Sequence, residues 1–310
     1  MKKLFGNNSG FINKVVRRIA TVKFVTIVAL ILAVTAFGGW QYNNMTSKDR
    51  IFWGMVDNSL QTTSFSKKSL VKSGGQSAEQ ITDVFASPKQ QVYSQTHFEQ
   101  TGADEASAVT ENIGTATQDY VRYISITTNQ RNTEGKEYDF SNILNVWGSS
   151  VVQDETQSTG QLFSQSVLGV IPTGNLSASQ RHHLVKLLKD SKAYTFTANK
   201  PSREFPFGRP NYTYNVVIDP VGYITALKEF GRDIGLTQLE SINPNDYKSS
   251  AKMQFQVSVD GWSHQATKIV QSSGGKSETI SAHNVRKPLQ QLPKDTIDID
   301  ELQTRLQSVE

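Results

Sequence analysis

The chain has 310 residues, 32 Lys and Arg against 28 Asp and Glu, a net charge of +4 and no cysteine. Disulfides, cysteine nucleophiles, thiolate metal sites and a lipid-modified cysteine are therefore excluded. Six of the positive charges, Lys2, Lys3, Lys14, Arg17, Arg18 and Lys23, lie in the first 23 residues with no acid among them; removing them from +4 leaves −2, so the rest of the chain carries no basic footprint for nucleic acid.

Residues 24–40, FVTIVALILAVTAFGGW, form a run of seventeen without a charge. Seventeen helical residues reach roughly 25 Å against a hydrocarbon core of about 30 Å. Ile19, Ala20, Thr21 and Val22 extend the run, Lys23 can place its ammonium at the headgroups, and Trp40 and Tyr42 suit the far interface. With the basic residues ahead of it, the segment is expected to leave the N-terminus in the cytoplasm and to export the remainder. The organisation expected is a basic cytoplasmic tail over 1–23, a transmembrane signal anchor over 24–42 with membrane contact through residues 19–42, and an extracytoplasmic domain over 48–310. A cleavable signal peptide ending near Val34-Thr35-Ala36 is the rival; the long basic region and long apolar run favour the anchor. Phe11, Ile12, Val15, Val16 and Ile19 recur at helical spacing, which fits a basic amphipathic helix over 11–23 or a disordered tail. A cysteine-free exported domain fits a bacterium that does not staple its secreted proteins.

Beyond the run, Ile51, Phe52, Met55, Val56 and Leu60 form one stripe of a helix over about 48–63. Strands follow at 66–73, 76–86 and 90–100, separated by Gly74-Gly75 and by Pro88-Lys89. A polar stretch then leads into YVRYISITT, where large residues occupy alternate and intervening positions alike, the pattern of a strand covered on both sides. DFSNILNVWGSS reads as a short helix capped by Asp139 or Ser141, with Ile143, Leu144 and Trp147 on one face. QSVLGVIPTG reads as an apolar loop over the sheet or at a groove mouth. LSASQRHHLVKLLKDSKAY is the clearest helix, starting near Ser177 or Ser179 with Leu184, Leu187 and Leu188 inward.

NYTYNVVID places Tyr212, Tyr214, Val216 and Ile218 on one face and ends at Asp219-Pro220, good chemistry for a helix start. A helix over about 220–235 should turn Ile224, Leu227 and Ile234 inward. AKMQFQVSVDGW alternates through Met253, Phe255, Val257 and Val259 to the turn signal Asp260-Gly261. A return strand over about 262–272, a third over 276–285 and a helix from Asp298 or Asp300 carrying Leu302, Leu306 and Val309 complete the chain. The fold class expected is α+β: a curved antiparallel sheet (half-barrel) covered by helices, preceded by one N-terminal transmembrane helix.

This order of elements, above all the meander VSVDGWSHQATKIVQS followed by another strand and Pro288 or Pro293, resembles the LolA/LppX-like lipoprotein-carrier fold over about residues 50–308. The resemblance implies a curved sheet wrapped around helices and an acyl chain or lipoprotein bound between them. The missing lipobox cysteine departs from the lipid-anchored members of that group.

No catalytic constellation emerges. His182 and His183 are adjacent rather than four apart, so they cannot share a metal, while His97, His264 and His283 are isolated in sequence. Asp298, Asp300 and Glu301 suit a helix start rather than a calcium loop, and no nucleophile elbow occurs. The expectation is a protein that is not an enzyme and uses no cofactor. Two functional classes follow. One is a membrane-anchored binding module that holds a lipid or other apolar ligand on Tyr214, Val216, Ile218, Met253, Phe255 and Val257. The other is an assembly protein of the cell envelope acting through protein contacts. Rim or partner contacts are expected from Arg122 and from REFPFGRPNYTY, where Arg203 and Arg209 bracket Phe205 and Phe207 in a cationic, aromatic loop. A cavity of about 300–1,000 Å3 between sheet and helices separates the two classes.

Overall fold

A computed structural model describes residues 48–309 apart from 152–165, 167, 199, 235–238, 273 and 274. The expected membrane span and basic tail lie outside the described residues. Among those described, no helix is long and apolar enough to cross a membrane.

Four helices are described: α1 (Lys48–Leu60), α2 (Ala178–Asp190), α3 (Pro220–Ile234) and α4 (Ile299–Gln307). Thirteen strands form one open, curved sheet. They are β1 (Ser64–Ser73), β2 (Gln76–Phe85), β3 (Gln91–Gln100), β4 (Ala106–Thr115), β5 (Gln118–Thr128), β6 (Gly148–Val151), β7 (Tyr194–Phe196), β8 (Ser202–Glu204), β9 (Asn211–Ile218), β10 (Met253–Asp260), β11 (Ala266–Gln271), β12 (Lys276–Ser281) and β13 (Ile297–Asp298). Their order is β13-β6-β5-β4-β3-β2-β1-β12-β11-β10-β9-β7, with β8 beside β7 on the outer side of β9. The pairs are antiparallel except β13 with β6. A twisted sheet of more than about ten strands does not stay flat, which accounts for the curl.

Every residue of the α1 stripe is buried to 1 % exposure or less. Phe52 packs edge-on against Trp53, Tyr194, Phe196 and Tyr214, fixing α1 over β7 and β9. Ser177 and Gln180 close a reciprocal cap at the start of α2, whose Leu184 and Leu188 enter the same core. Arg181 ties α2 to α1 through Asp57 at 3.2 Å. Asp219 accepts from the Gly222 amide at 2.9 Å and starts α3, as its place before Pro220 implies. The inward side of α3 is Ala226, Leu227 and Phe230, whereas Ile224 is half-buried and Ile234 lies outside the described side chains. A smaller core of Phe65, Val84 and Val92 sits in the N-terminal meander.

Four expectations are corrected or refined. The polar stretch after Gly102 contains β4, a full partner of β3 and β5. Both faces of β5 are partly buried, and its mixed pattern has a bulge as a second cause. Between Thr110↔Tyr123 and Val109↔Ser125 the register shifts, Ile124 is the extra residue, and the alternation changes phase. Tyr120 and Arg122 therefore share one face, while Val121, Tyr123 and Ile126 share the other. The DFSNILNVWGSS segment makes a single turn, capped by Asp139 to the Ser141 amide at 2.9 Å. Asn145, at φ 61, ends that turn and donates to the Tyr123 carbonyl, and β6 draws the following residues into the sheet. Finally, the Asp260 turn spans five residues rather than two. The Asp260 carboxylate accepts from the amides of Trp262 and Ser263 and from the Ser263 hydroxyl, so the return strand starts only at Ala266.

Candidate ligand-binding site

β9 and β10 run opposite one another in the register Ile218↔Met253, Val216↔Phe255 and Tyr214↔Val257. All six apolar candidates thus occupy one sheet face as three cross-strand pairs. The helices divide them. Tyr214, Val216 and Val257 are 3 %, 1 % and 0 % exposed beneath α1 and belong to the filled core. The Tyr214 hydroxyl has no hydrogen-bond partner among the described residues, and burial, with neighbouring Tyr212, pushes its pKa up. Ile218, Phe255 and the partly exposed Met253 instead line a cavity of about 310 Å3 at the end of the strands.

The opposite wall of this cavity is Leu168, Gly169 and Val170, with Tyr223 of α3. Leu168, Gly169 and Val170 come from the apolar stretch read as a loop over the sheet or at a groove mouth. Two phenols hold it: Tyr223 donates to the Gly169 carbonyl at 2.6 Å and Tyr194 to the Val170 carbonyl at 2.7 Å. Burial drives the pKa of both phenols upward, so both keep their protons and remain donors. The floor continues through Ile269 and Gln271 of β11 to Lys276 and Glu278 of β12, which sequence reading did not select. Their signal was the alternation Lys276, Glu278, Ile280, a charged pair in phase with an apolar residue. It acquires meaning only once Ile269 stands opposite Glu278.

None of the expected rim arginines lines the cavity. Arg122 projects from the opposite sheet face, where Nε donates to Glu111 at 2.7 Å and the guanidinium lies 4.6 Å from the Trp147 ring. Tyr93 donates to the same carboxylate at 2.7 Å; burial first, then that bond, raises its pKa to about 12. Arg203 and Arg209 sit at the far end of β9. Arg203 lies 4.3 Å over Phe205 and 5.5 Å from Tyr212, and Arg209 lies 5.3 Å from Trp262. Phe205 is 57 % exposed and Trp262 66 %, so this loop presents its aromatic rings rather than plugging the core; the Phe207 side chain lies outside those described. A hollow of about 450 Å3 lies beside it, lined by Pro206, Arg209, Asn211, Asp260 and Thr267. Burial works to raise the Asp260 pKa, but the hydrogen bonds from Ser263 and Trp262 and the Arg209 charge outweigh it and hold it below the ordinary value.

Among the described residues, no group of three or more His, Asp or Glu is placed to hold a metal. Larger hollows, such as one of about 580 Å3 beside Pro88 and Pro288, are lined mainly by connecting loops. The cavity at Met253 differs in having a floor of strands, apolar at Ile218, Phe255 and Ile269, and a facing wall held by two part-buried hydrogen bonds.

No family model matches the chain, and no curated protein sequence matches it. Among solved structures, it is similar to LprF from Mycobacterium bovis, at 10% sequence identity and a TM-score of 0.37, over 77% of this chain and 95% of that chain.

Proposed function

We propose that the protein is a membrane-anchored extracytoplasmic binding module that holds a lipid or other apolar ligand between its sheet and the Leu168–Val170 loop. The observation that carries this reading is the cavity of about 310 Å3 walled by Leu168, Val170, Ile218, Phe255 and Ile269. That volume lies at the small end of the range for ligand sites. Each methylene buried there would contribute about 0.8 kcal/mol, so a short length of acyl chain is enough for firm binding. Anchoring rests on the charge pattern and apolar run of residues 19–42, which put the domain outside the cell membrane with the N-terminus in the cytoplasm. The reading includes no catalytic step.

The test is lipid analysis of the full chain, extracted into an amphipathic polymer, beside Met253→Trp. Met253 is 41 % exposed, so an indole can fill the cavity from the side without disturbing the core. A lipid that copurifies in stoichiometric amount with the wild type and is lost from the variant, at unchanged melting temperature, is expected. Equal lipid content in the two would defeat the reading.

The second reading, an envelope assembly protein acting through protein contacts, is favoured by one observation. Phe205 and Trp262 stand exposed at the opposite end of β9, each beneath an arginine. Exposed aromatic rings with guanidinium partners are the composition of interface anchors. Under this reading, Trp262→Ala would remove a crosslinked envelope partner and Met253→Trp would not.

A further inference from the structure

The cavity is polar at one end, where Lys276 and Glu278 line it and a second lysine, Lys67, stands beside Glu278. Lys67 stands opposite Ile280, Ser69 opposite Glu278 and Val71 opposite Lys276. Because side chains alternate along a strand, Lys67, Lys276 and Glu278 share the cavity's face. The Glu278 carboxylate lies 3.7 Å from the Lys67 ammonium and 3.3 Å from that of Lys276. Lys67 and Glu278 are only 16% and 13% exposed, while Lys276 is 48% exposed at the opening. Two ammonium groups thus share one carboxylate in partly buried surroundings.

Among the described residues, no other charge on this part of the face offsets the surplus. The inward residues of β2 and β3 are Gln76, Ala78, Gln80, Thr82, Val84, Val92, Ser94, Thr96, Phe98 and Gln100, none of them charged. Lys68, Glu79 and Asp83 pair on the other face. The Gln271 side chain, an amide with two N–H donors, lines the cavity beside Lys276. Seen along its length, the cavity runs from Leu168, Val170 and Ile218 to Gln271, Lys276 and Glu278, with Lys67 next to Glu278 on the same face but outside the lining: grease at one end, and at the other donors and, among the described residues, one more positive charge than negative.

Building on the binding reading above, we infer that the ligand is an anionic amphiphile. Its acyl chain lies in the apolar part of the cavity, and its single carboxylate or phosphate head sits against Lys276 and Lys67, with Gln271 donating to it. An ammonium in partly dry surroundings binds such a head by a charge-assisted hydrogen bond. A neutral head would leave the second lysine unmatched, and a cationic one would meet it as a like charge. Glu278 competes with the ligand for the same two lysines. The inference therefore makes opposite demands on neighbouring residues: removing Lys276 weakens binding, and neutralising Glu278 strengthens it.

The experiment uses the full chain held in an amphipathic polymer, with the cavity-filled Met253→Trp variant as the blank for binding elsewhere. Equilibrium binding is measured for three probes of equal chain length: a sixteen-carbon fatty acid, its methyl ester and the matching alkyl trimethylammonium. The fatty acid is expected to bind at least about tenfold more tightly than either other probe, equivalent to one charge-assisted contact. Lys276→Gln should erase that preference, and Glu278→Gln should increase it. Lys276 is half exposed, so its variant keeps the fold, and melting is recorded for both. Acid and ester binding equally well would overturn the head-group inference and leave the apolar cavity standing. No binding of any probe would take the binding reading down with it. Displacement of the fatty acid by millimolar inorganic phosphate would assign the lysines to a free anion and overturn the amphiphile.

Discussion

One continuous sheet is stabilised in two different ways along its width. From β9 to β11, large apolar side chains alternate inward and three helices complete the core, with Phe52 touching four other rings. From β1 to β5, the strands are ten or eleven residues long, yet the distinct cluster they form contains only Phe65, Val84 and Val92. Between these regions lies the seam of β1 with β12, and the charged end of the cavity stands on it. The difference teaches that this sheet takes its stability from one side and extends its backbone ladder to the other. The cavity lies on the flank of the stable side.

The largest expected effect breaks the stable side. Phe52→Ala removes a fully buried ring from the centre of the core and should cost about 3–5 kcal/mol, read as a lower midpoint in chemical denaturation. A smaller effect probes the junction of β11 with the end of β12. His283 Nε2 lies 2.9 Å from the Ala266 carbonyl, and burial, partly offset by that bond, lowers its pKa below 6.5. The folded state thus favours neutral imidazole and the unfolded chain takes up the proton first. Stability is full above about pH 6.5 and falls as the pH drops towards the lowered folded value. Melting curves between about pH 8 and pH 5 should show this slope in the wild type and a shallower one in His283→Gln. The smallest effect belongs to the meander. Phe98 is only half-buried, and Phe98→Ala should cost under about 1 kcal/mol. A loss as large as that of Phe52→Ala would show that β1–β5 share the main core and would dissolve the contrast.

The same contrast decided what could be read from sequence. Where burial is deep, the pattern was plain: Tyr212, Tyr214, Val216 and Ile218 gave both the extent and the inward face of β9, and the α1 stripe was complete. In β4 the inward residues are Ala106, Ala108, Thr110, Asn112 and Gly114, so no apolar alternation announced the strand. A bulge hid the phase of β5, because one extra residue, Ile124, exchanges the two faces midway. Part of the cavity was legible for the same reason, since Ile218, Met253 and Phe255 alternate in strands. Lys276 and Glu278 were not, since their relation to the cavity depends on which strands lie side by side. The arginines stand away from the cavity because spacing along the chain does not say which face or which end of a strand a residue will reach. The Asp139 turn shows tertiary pairing overriding a local helix signal.

The way the two borders of the sheet are finished has a consequence for life at high local concentration. β9 does not meet a long neighbour on its outer side: β7 takes Val216–Ile218, β8 takes Asn211–Thr213, and the Asn215 carbonyl accepts from the Thr197 amide between them. The opposite border ends in β13, two residues long, beside the four-residue β6. Long, flat rows of unpaired backbone groups are what recruit strands from other molecules and seed fibrils. Patching the borders with short, separate pieces withholds such a template. A wide, ladder-rich sheet can in this way resist growing edge to edge into aggregates when many copies crowd together.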